Sequence, residues 1–405
     1  MNTPWLGTIT LGMFPLCCFA AGLEKSDQSI STFLEAGNYL ELSYAQLHPN
    51  VSGQVSHQDE LQKMGIQDFS TGDLIKNYAI FNAAVKIQPH SQFSFGLIYD
   101  QPYAAHLKYD YSPNTALGQQ SLESAQFEVE SHNLSSILGY QPTENWNIYS
   151  GLAIQDFKGL LNLNGLSYSI MSGYKAEFKP DTALGWLMGL SYQRPEYGLQ
   201  ATVTYRSEVK HQSHIHESVQ GQHLLYVPDA TTTITTPQSI NIDFRTAISA
   251  NNLFYSSLRW VNWKSFEIQP TQFNAILNAA VQQYPTFIQH FNLIDYQEDQ
   301  WSTKLGIAHR LSEQWVISSD VSWDSGTGNP AGTLNPSDGY RGLALGIMYT
   351  PSPNSFITTG LKYFKLQKAE IAPASTLITG NQNTNLNAIN DNDAIAYGLR
   401  IGHYF

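Results

Sequence analysis

The sequence has few cysteines, few charged residues and no long apolar run beyond its N-terminus. Both cysteines, Cys17 and Cys18, fall in the apolar N-terminal stretch. If that stretch is cleaved, the mature chain has no disulfide, thiolate metal site or cysteine nucleophile. Charged residues make up 13% of the 405 residues, about half the share usual in globular domains. No later stretch approaches the roughly 18 apolar residues of a membrane-spanning helix.

Several motifs of enzymes and of nucleic-acid-binding proteins are also missing. The chain has no basic cluster, and its formal net charge is −12, which argues against nucleic acid as a partner. Nucleophile elbows of the form G-x-S-x-G and glycine-rich phosphate loops are absent. The sequence DSGTG at 324–328 resembles the aspartic-protease triplet, but those enzymes need two carboxylates that share a proton. It occurs once, so we interpret it as a turn.

Aromatic residues, by contrast, are abundant, at 12% of the chain with 23 tyrosines. From Asn38 onward, extended segments alternate large apolar residues with small or polar ones, as in Leu184, Trp186 and Met188 against Gly185 and Gly189. Short turns alternate with longer polar connections at about 49–76, 110–124, 158–180, 211–237, 265–299, 325–338 and 368–392. The strands of a soluble β-sandwich also alternate apolar and polar residues, but such a fold rarely places seven long loops on one side.

These features predict an all-β fold, a transmembrane antiparallel β-barrel of 14 strands over residues 38–405, in the outer membrane of a Gram-negative bacterium. The chain ends on the alternating stretch AIAYGLRIGHYF and on Phe405. We expect this strand to close the barrel against the first one. A terminal phenylalanine on such a strand resembles the signal read by the barrel-assembly machinery, a predicted partner, and outer-membrane lipid would cover its side chain.

The N-terminus predicts a secretory signal peptide over residues 1–21. An apolar stretch from Leu6 to Phe19 is followed by the small residues Ala20, Ala21 and Gly22, as at a cleavage site. The stretch before it has no lysine or arginine, so a short N-terminal anchor is the alternative. Residues 22–37 would then precede the barrel.

Two sets of side chains are candidates for contact with a metal or a charged head group. His211, His214 and His216, with His223 nearby, lack a carboxylate at a firm spacing. We therefore predict that they lie in a solvated loop and bind no metal. Three arginines lie opposite the apolar faces of their strands: Arg206, Arg245 and Arg259. They predict either a structural network in the lumen, with Glu208 and Asp243 as acidic partners, or a site for an anionic head group.

The fifth long loop carries an apolar stripe within QFNAILNAAVQQYPTFIQHF. Its members recur at helical spacing: Phe273, Ile276, Leu277, Ala280, Val281 and Tyr284. The spacing predicts a helix. Either this helix packs on the rim of the barrel, or it forms a hydrophobic ledge where an apolar ligand first adsorbs.

Five stretches are similar to one family of outer-membrane proteins. They are residues Asp27–Gly53, Gly185–His211, Thr236–Ile248, Leu258–Trp263 and Leu334–Pro351. Together they resemble the FadL-type transporters for long-chain fatty acids and other hydrophobic compounds, and the similarity covers nearly the whole mature chain in patches.

The resemblance implies a barrel plugged by a short N-terminal hatch inside the lumen, here residues 22–37 with Leu23, Ile30, Phe33 and Leu34 as apolar content. It implies capture of an apolar ligand in the loops, binding in the lumen and lateral release at a kink in strand 3. Pro102 cannot donate a ladder hydrogen bond and Asp100 interrupts the apolar run, so a break over Gly96–Pro102 is expected there, with an ordinary edge irregularity as the alternative. The Asn-Pro-Ala box of the family's hatch is absent before strand 1.

We therefore expect a monomeric barrel, without cofactor or enzymatic activity, that transports long-chain fatty acids or similar hydrophobic small molecules passively. Burial of an alkyl chain contributes about 0.8 kcal/mol per CH₂, so few polar contacts are needed. The alternatives are a porin-like channel for polar solutes and, third, an outer-membrane lipid hydrolase.

Overall fold

The computed structural model of the protein describes residues 22–405, except 55–61, 64, 113, 116–117, 120–122, 166–167, 169–170, 229–230, 284–291, 330, 333, 335–337, 373–386 and 390–391. The predicted signal peptide lies outside the described residues. None of the described helices is long and apolar enough to cross a membrane.

Fourteen antiparallel strands form a closed barrel, as predicted. The strands are β1 (Tyr39–Asn50), β2 (Tyr78–His90), β3 (Phe93–Asp100 and Ala104–Tyr111), β4 (Glu123–Thr143), β5 (Trp146–Asn164), β6 (Tyr174–Arg194), β7 (Leu199–Arg206 and Val209–Val219), β8 (Thr231–Thr236 and Ser239–Ser249), β9 (Asn252–Val261), β10 (Gln300–Arg310), β11 (Trp315–Asp324), β12 (Tyr340–Ser352), β13 (Ser355–Leu366) and β14 (Asp393–Tyr404).

The C-terminal strand closes the barrel. β14 pairs with β1 from Tyr39–Tyr404 to Asn50–Asp393, and β1 pairs with β2 on its other edge. The side chain of Phe405 is 59% exposed to the surroundings of the protein, which in an outer membrane are lipid. The expected closure is thus confirmed, while recognition by the assembly machinery stays a prediction.

Side chains alternate between the lumen and the lipid along each strand. Leu184, Trp186, Met188 and Leu190 of β6 are exposed, whereas Leu187 between them is fully buried. Aromatic pairs lie near the two ends of the exposed band, with Trp186 and Tyr205 at 5.1 Å between ring centroids and Trp146 and Tyr192 at 4.7 Å. Such pairs match the two interfacial girdles of a membrane barrel.

Strands β4 to β6 extend further than the sequence suggests. They contain 21, 19 and 21 residues, whereas a tilted strand needs about 9–11 residues to cross the membrane. The predicted loop at 158–180 shortens accordingly to residues 165–173. The reason is a core outside the membrane band, in which Phe127, Phe157, Leu161 and Phe178 are buried.

The long connections carry further structure. Helix α1 (Thr271–Gln283) confirms the helix predicted in the fifth loop. A small sheet combines Ser52–Gln54, Ser70–Asp73, Ala331–Gly332, Ala369–Ala372 and Asn387–Ile389. Two-residue strand pairs join Asn114–Thr115 to Gly118–Gln119 and Glu267–Ile268 to Ile294–Asp295, and Gln222–His223 pairs with β7. Among the described residues, 3₁₀ turns lie at Ser31–Leu34, Pro195–Tyr197 and Trp263–Ser265.

Candidate functional site

The N-terminal segment, residues 22–37, packs against lumen-facing side chains. Ile30 and Phe33 are buried with Ile98, Ile137 and Tyr149 of the wall, and Leu34 packs against that group. Leu23 belongs to a second, larger apolar cluster. All four predicted hatch residues therefore contact the barrel interior, and their role as a hatch stays a prediction.

Phe33 occupies a niche made by two glycines of the wall. A Cβ atom on Gly96 would lie 2.5 Å from Cδ2 of Phe33, and one on Gly139 would lie 2.7 Å from its Cζ. The ring also contacts Tyr149 edge-on, with 5.7 Å between centroids. Gly96 was predicted as part of a gate, and the structure places it first of all against the N-terminal segment.

A buried ion pair joins the N-terminal segment to β9. Arg259 donates to the carboxylate of Glu24, and both side chains are almost fully buried. Arg259 also donates to Ser239 and Asn241 of β8, and Asn241 donates to the backbone carbonyl of Asp27 at 2.8 Å. Burial raises the pKa of the Glu24 carboxyl, and the guanidinium beside it offsets part of that rise.

The other two arginines occupy different surroundings. Arg206 is buried and donates to the backbone carbonyl of Gln28 at 3.1 Å and to Ser135 at 3.2 Å. Arg245 is half-buried and pairs in the ladder with Gln200, closer to the periplasmic turn. Arg206 and Arg259 thus contact the N-terminal segment, which supports the structural network over a head-group site.

Of the two expected acidic partners, Glu208 lies outside this network and Asp243 lies beside Arg259. Glu208 forms its ion pair with Lys210 at 3.0 Å, and both side chains are partly exposed. Asp243 lines a polar pocket together with Asp27, Lys304 and Arg259. The partner of Arg259 is Glu24, which lies 235 residues away in sequence.

Strand β3 is divided at residues 101–103. The carbonyl of Pro102 accepts hydrogen bonds from the backbone N–H groups of Lys25, at 2.7 Å, and Ser26, at 3.4 Å. Glu24 forms a bridge with Tyr103, and Ala104 donates to Leu23. The N-terminal segment therefore makes strand-like contacts with the break from inside.

The break also opens the ladder between β2 and β3. Their register covers Ala83–His90 and Phe93–Tyr99, whereas residues 78–82 of β2 have no ladder partner on β3. The side chain of Gln101 accepts a hydrogen bond from the backbone of Phe81 at 3.1 Å. Asp100 is buried and accepts from Asn133 at 2.9 Å. An interrupted ladder at this position supports the predicted gate. Release of a ligand through it stays a prediction.

The apolar stripe of α1 turns toward the protein. Phe273 and Leu277 are buried, and Ile276, Ala280 and Val281 are half-buried. Phe273 packs edge-on against Tyr174, with 5.2 Å between centroids. Tyr284, the last predicted member, lies outside the described residues. The helix thus packs on the rim, and its contact with a ligand stays a prediction.

Glu217 of β7 caps the N-terminus of α1. Its carboxylate accepts the backbone N–H of Gln272 at 2.9 Å and that of Phe273 at 2.7 Å. Tyr174 donates its hydroxyl to the same carboxylate at 2.8 Å. Because a carboxylate satisfies free N–H groups and interacts favourably with the helix dipole, Glu217 positions the apolar face of α1.

We expect Glu217→Ala to loosen α1 without unfolding the barrel. Loss of a cap costs about 0.5–2 kcal/mol, so hydrogen exchange of the amides of Thr271–Gln283 should accelerate roughly 2- to 30-fold. Tyr174→Phe is the control, because it removes one donor and leaves the cap in place. Unchanged exchange in Glu217→Ala would contradict the positioning role.

One continuous apolar cluster extends from α1 to the break in β3. It contains Phe273 of α1, Trp263 and Phe266 after β9, Tyr103 in the break and Leu107 beyond it. Trp263 contacts Tyr103 edge-on at 5.8 Å between centroids. The cluster therefore connects the long loops to the break in β3 with apolar side chains.

The histidines are arranged differently from the prediction. His211 is buried inside β7, with its ring nitrogens 3.2 Å from Asp181 and 3.1 Å from Gln155. The predicted solvated loop was wrong here because β7 continues to Val219, so that alternate residues face inward. His214 and His216 are exposed. Among the described residues no group of three or more potential ligands could hold a metal ion.

The DSGTG stretch forms a turn, as interpreted. Gly326 has a positive φ of 79° and donates to the carboxylate of Asp324 at 2.9 Å. The carboxylate of Asp338 accepts the backbone N–H groups of Thr327 and Gly328. Burial raises the pKa of Asp338, and these hydrogen bonds counteract part of the rise.

Sequence reasoning missed three residues at the centre of this arrangement, namely Glu24, Tyr103 and Trp263. A buried arginine requires an acidic partner, and the N-terminal segment contains three acids, Glu24, Asp27 and Glu35. That signal pointed to the segment but not to a particular residue. For the two aromatic residues the sequence offers no signal, because they lie just outside regular strands.

The closed barrel of fourteen strands with an apolar outer face is the fold of an outer-membrane protein. The family model described as outer membrane protein transport protein (OMPP1/FadL/TodX) matches residues 29–405. The chain therefore belongs to the OMPP1/FadL/TodX family of outer-membrane transport proteins. It is a transport protein and not an enzyme, which removes the lipid hydrolase from the alternatives.

Solved structures share the fold at low sequence identity. A Pseudomonas aeruginosa FadL homologue is 12% identical with a TM-score of 0.62, over 93% of this chain and 92% of that one. The Pseudomonas putida toluene transporter TodX is 10% identical with a TM-score of 0.59, over 96% of each chain. The Ralstonia pickettii toluene transporter TbuX is 11% identical with a TM-score of 0.55, over 96% and 97%. None of the curated proteins compared with the chain matches its sequence.

Proposed function

We propose that the protein admits long-chain fatty acids, or hydrophobic molecules of similar length, through the outer membrane by passive diffusion. The observation that carries this proposal is the apolar cluster that joins α1 to the break in β3. Each CH₂ group of a ligand that is buried against this cluster contributes about 0.8 kcal/mol to binding. The cluster therefore favours a long alkyl chain over a small polar solute.

In this mechanism the ligand first contacts the loops around α1 and then moves along the aromatic side chains of the cluster. It leaves sideways at the break in β3, where residues 78–82 of β2 have no ladder partner. Lateral release into the membrane keeps the ligand out of water. The N-terminal segment blocks the direct route, because Arg206, Arg259 and Asn241 hold its backbone and side chains.

The porin-like alternative predicts an open, hydrated lumen. The N-terminal segment instead buries Ile30 and Phe33 against the wall and places Glu24 in a buried ion pair. A polar pocket does exist between Asp27, Asp243, Lys304 and Lys362, with a volume of about 30 Å³. That space holds one or two water molecules, which is too small for a sugar or an amino acid.

Uptake of radiolabelled oleate by cells that lack their own transporter tests the proposal. Cells that produce this protein should take up oleate faster than cells with an empty vector. Replacement of Phe273, Ile276 and Leu277 by serine removes the apolar face of α1 and should bring uptake down to the background. The matched control replaces Ala279 and Gln282, which are exposed on the same helix, by serine and should leave uptake unchanged.

No increase in oleate uptake, despite a barrel that shows heat-modifiable migration on a gel, would exclude fatty acids as the ligand. Labelled toluene serves as a second probe in the same cells. Toluene uptake without oleate uptake would assign the protein to small hydrocarbons instead.

A further inference from the structure

Four aromatic residues form a compact group within the apolar cluster, which we call the aromatic niche: Tyr103, Trp263, Phe266 and Tyr296. Trp263 is at its centre, with ring centroids 4.9 Å from Tyr296, 5.3 Å from Phe266 and 5.8 Å from Tyr103. All four side chains are at most 5% exposed. The niche thus joins the segment after β9 to the break in β3.

Two hydrogen-bond donors in the niche have no acceptor. Within the described residues, neither Nε1 of Trp263 nor the hydroxyl of Tyr296 has a hydrogen-bond partner, and both atoms are buried. The hydroxyl of Tyr103, by contrast, donates to the carbonyl of Pro237 at 3.4 Å. Since buried polar groups nearly always have a partner, these two donors on neighbouring rings are available to an acceptor on a bound molecule.

We propose that the niche binds hydrophobic molecules that carry one neutral oxygen acceptor, such as the carbonyl of a ketone or an ester. This inference rests on the proposed function, because it assigns the chemical class that the apolar cluster selects. A pure hydrocarbon would leave both donors unpaired. A carbonyl oxygen has two lone pairs and could accept from Trp263 and Tyr296 together.

Charge in the surroundings favours a neutral acceptor over a carboxylate. The four niche residues are uncharged, and the guanidinium of Arg259 is already paired with Glu24. Asp295 precedes Tyr296 and, together with burial, raises the pKa of that tyrosine. An anion in the niche would therefore be desolvated without a partner cation. A fatty acid would enter the niche as its protonated acid.

The backbone at Gly22 lies against the niche. A Cβ atom on Gly22 would lie 3.1 Å from Cε2 of Trp263, so the backbone at Gly22 covers one face of the indole. We expect the ligand to bind as this residue moves aside.

The test compares three probes of equal chain length: 2-undecanone, undecane and undecanoate. Their binding to the full barrel in lipid nanodiscs is measured at pH 8 by equilibrium dialysis of radiolabelled probe, with empty nanodiscs subtracted. Tyr296→Phe and Trp263→Phe remove one donor each and keep an aromatic ring. Tyr255→Phe is the matched control, because this buried tyrosine belongs to a separate cluster outside the niche and its hydroxyl donates to Asp320 at 3.2 Å.

Each donor variant should weaken 2-undecanone binding about 2- to 10-fold, the value of one hydrogen bond, and leave undecane binding unchanged. The control should change neither. Equal losses of affinity for 2-undecanone and undecane, or an unchanged affinity for the ketone, would overturn the proposal. Undecanoate binding as tight as that of the ketone, with the same loss in Tyr296→Phe, would overturn the choice of a neutral acceptor. If the wild-type barrel binds none of the probes, the proposed function fails as well.

Discussion

Glu24→Ala should release the N-terminal segment from the lumen. The substitution leaves Arg259 buried without its acidic partner, and removal of one member of a buried ion pair costs about 3–5 kcal/mol. This cost falls on the contacts between segment and wall, not on the barrel, whose ladders stay intact. The fraction of molecules with a displaced segment should therefore rise roughly 100-fold or more.

Labelling of a single cysteine measures this displacement. Both native cysteines lie in the predicted signal peptide, so Ser26→Cys would introduce the only thiol of the mature chain. Ser26 is 9% exposed in the docked segment, and a charged maleimide should modify it slowly. Addition of Glu24→Ala should accelerate the reaction strongly.

The matched control removes both charges of the pair. Since replacing a buried ion pair by apolar residues is often neutral or stabilising, Glu24→Leu with Arg259→Met should restore slow labelling. Labelling of Glu24→Ala at the wild-type rate would show that the ion pair does not hold the segment. Heat-modifiable migration on a gel checks that each variant has a folded barrel.

Gly96→Val should displace Phe33 from its niche. The new Cβ would lie 2.5 Å from Cδ2 of the ring. Because this distance is shorter than a van der Waals contact, the ring must move out of its position. Removal of a buried phenylalanine side chain costs about 3–5 kcal/mol, and expulsion of the ring forfeits the same contacts. The same labelling assay should therefore report a released segment, as it should for Phe33→Ala.

The two substitutions should be non-additive. In a Phe33→Ala background the ring is absent, so Gly96→Val should add little to the labelling rate. If the double variant is labelled much faster than Phe33→Ala alone, valine acts on the strand and not on the ring, and the packing of Phe33 against Gly96 would not be what holds the segment. A gain in oleate uptake alongside faster labelling would connect release of the segment to transport.

Several parts of this architecture could be predicted without a structure. Few charges, many aromatic residues and period-two alternation, as in Leu184 to Leu190, are local consequences of a strand with one face in lipid and the other in the lumen. The closing strand at Phe405 and the amphipathic helix of the fifth loop are likewise encoded by local spacing. The similarity of five stretches to one family pointed to transport of hydrophobic compounds.

Other parts depended on contacts between distant segments. His211 has a polar loop-like sequence around it, but β7 continues and turns its ring toward Gln155 and Asp181. Periodicity identifies Arg259 as facing the lumen, yet its partner could be any acid that the fold brings close. Glu208 and Asp243 are near the arginines in sequence, whereas Glu24 meets Arg259 across the barrel.

By itself the sequence determined the barrel, its strand number and its lipid-facing surface, because those depend on the period of side chains along one strand. Only the tertiary structure decided which residues meet in the lumen. Closure of fourteen strands brings the N-terminal segment, the break in β3 and the residues after β9 to one place. Such contacts are not periodic, and no single stretch contains the information that specifies them.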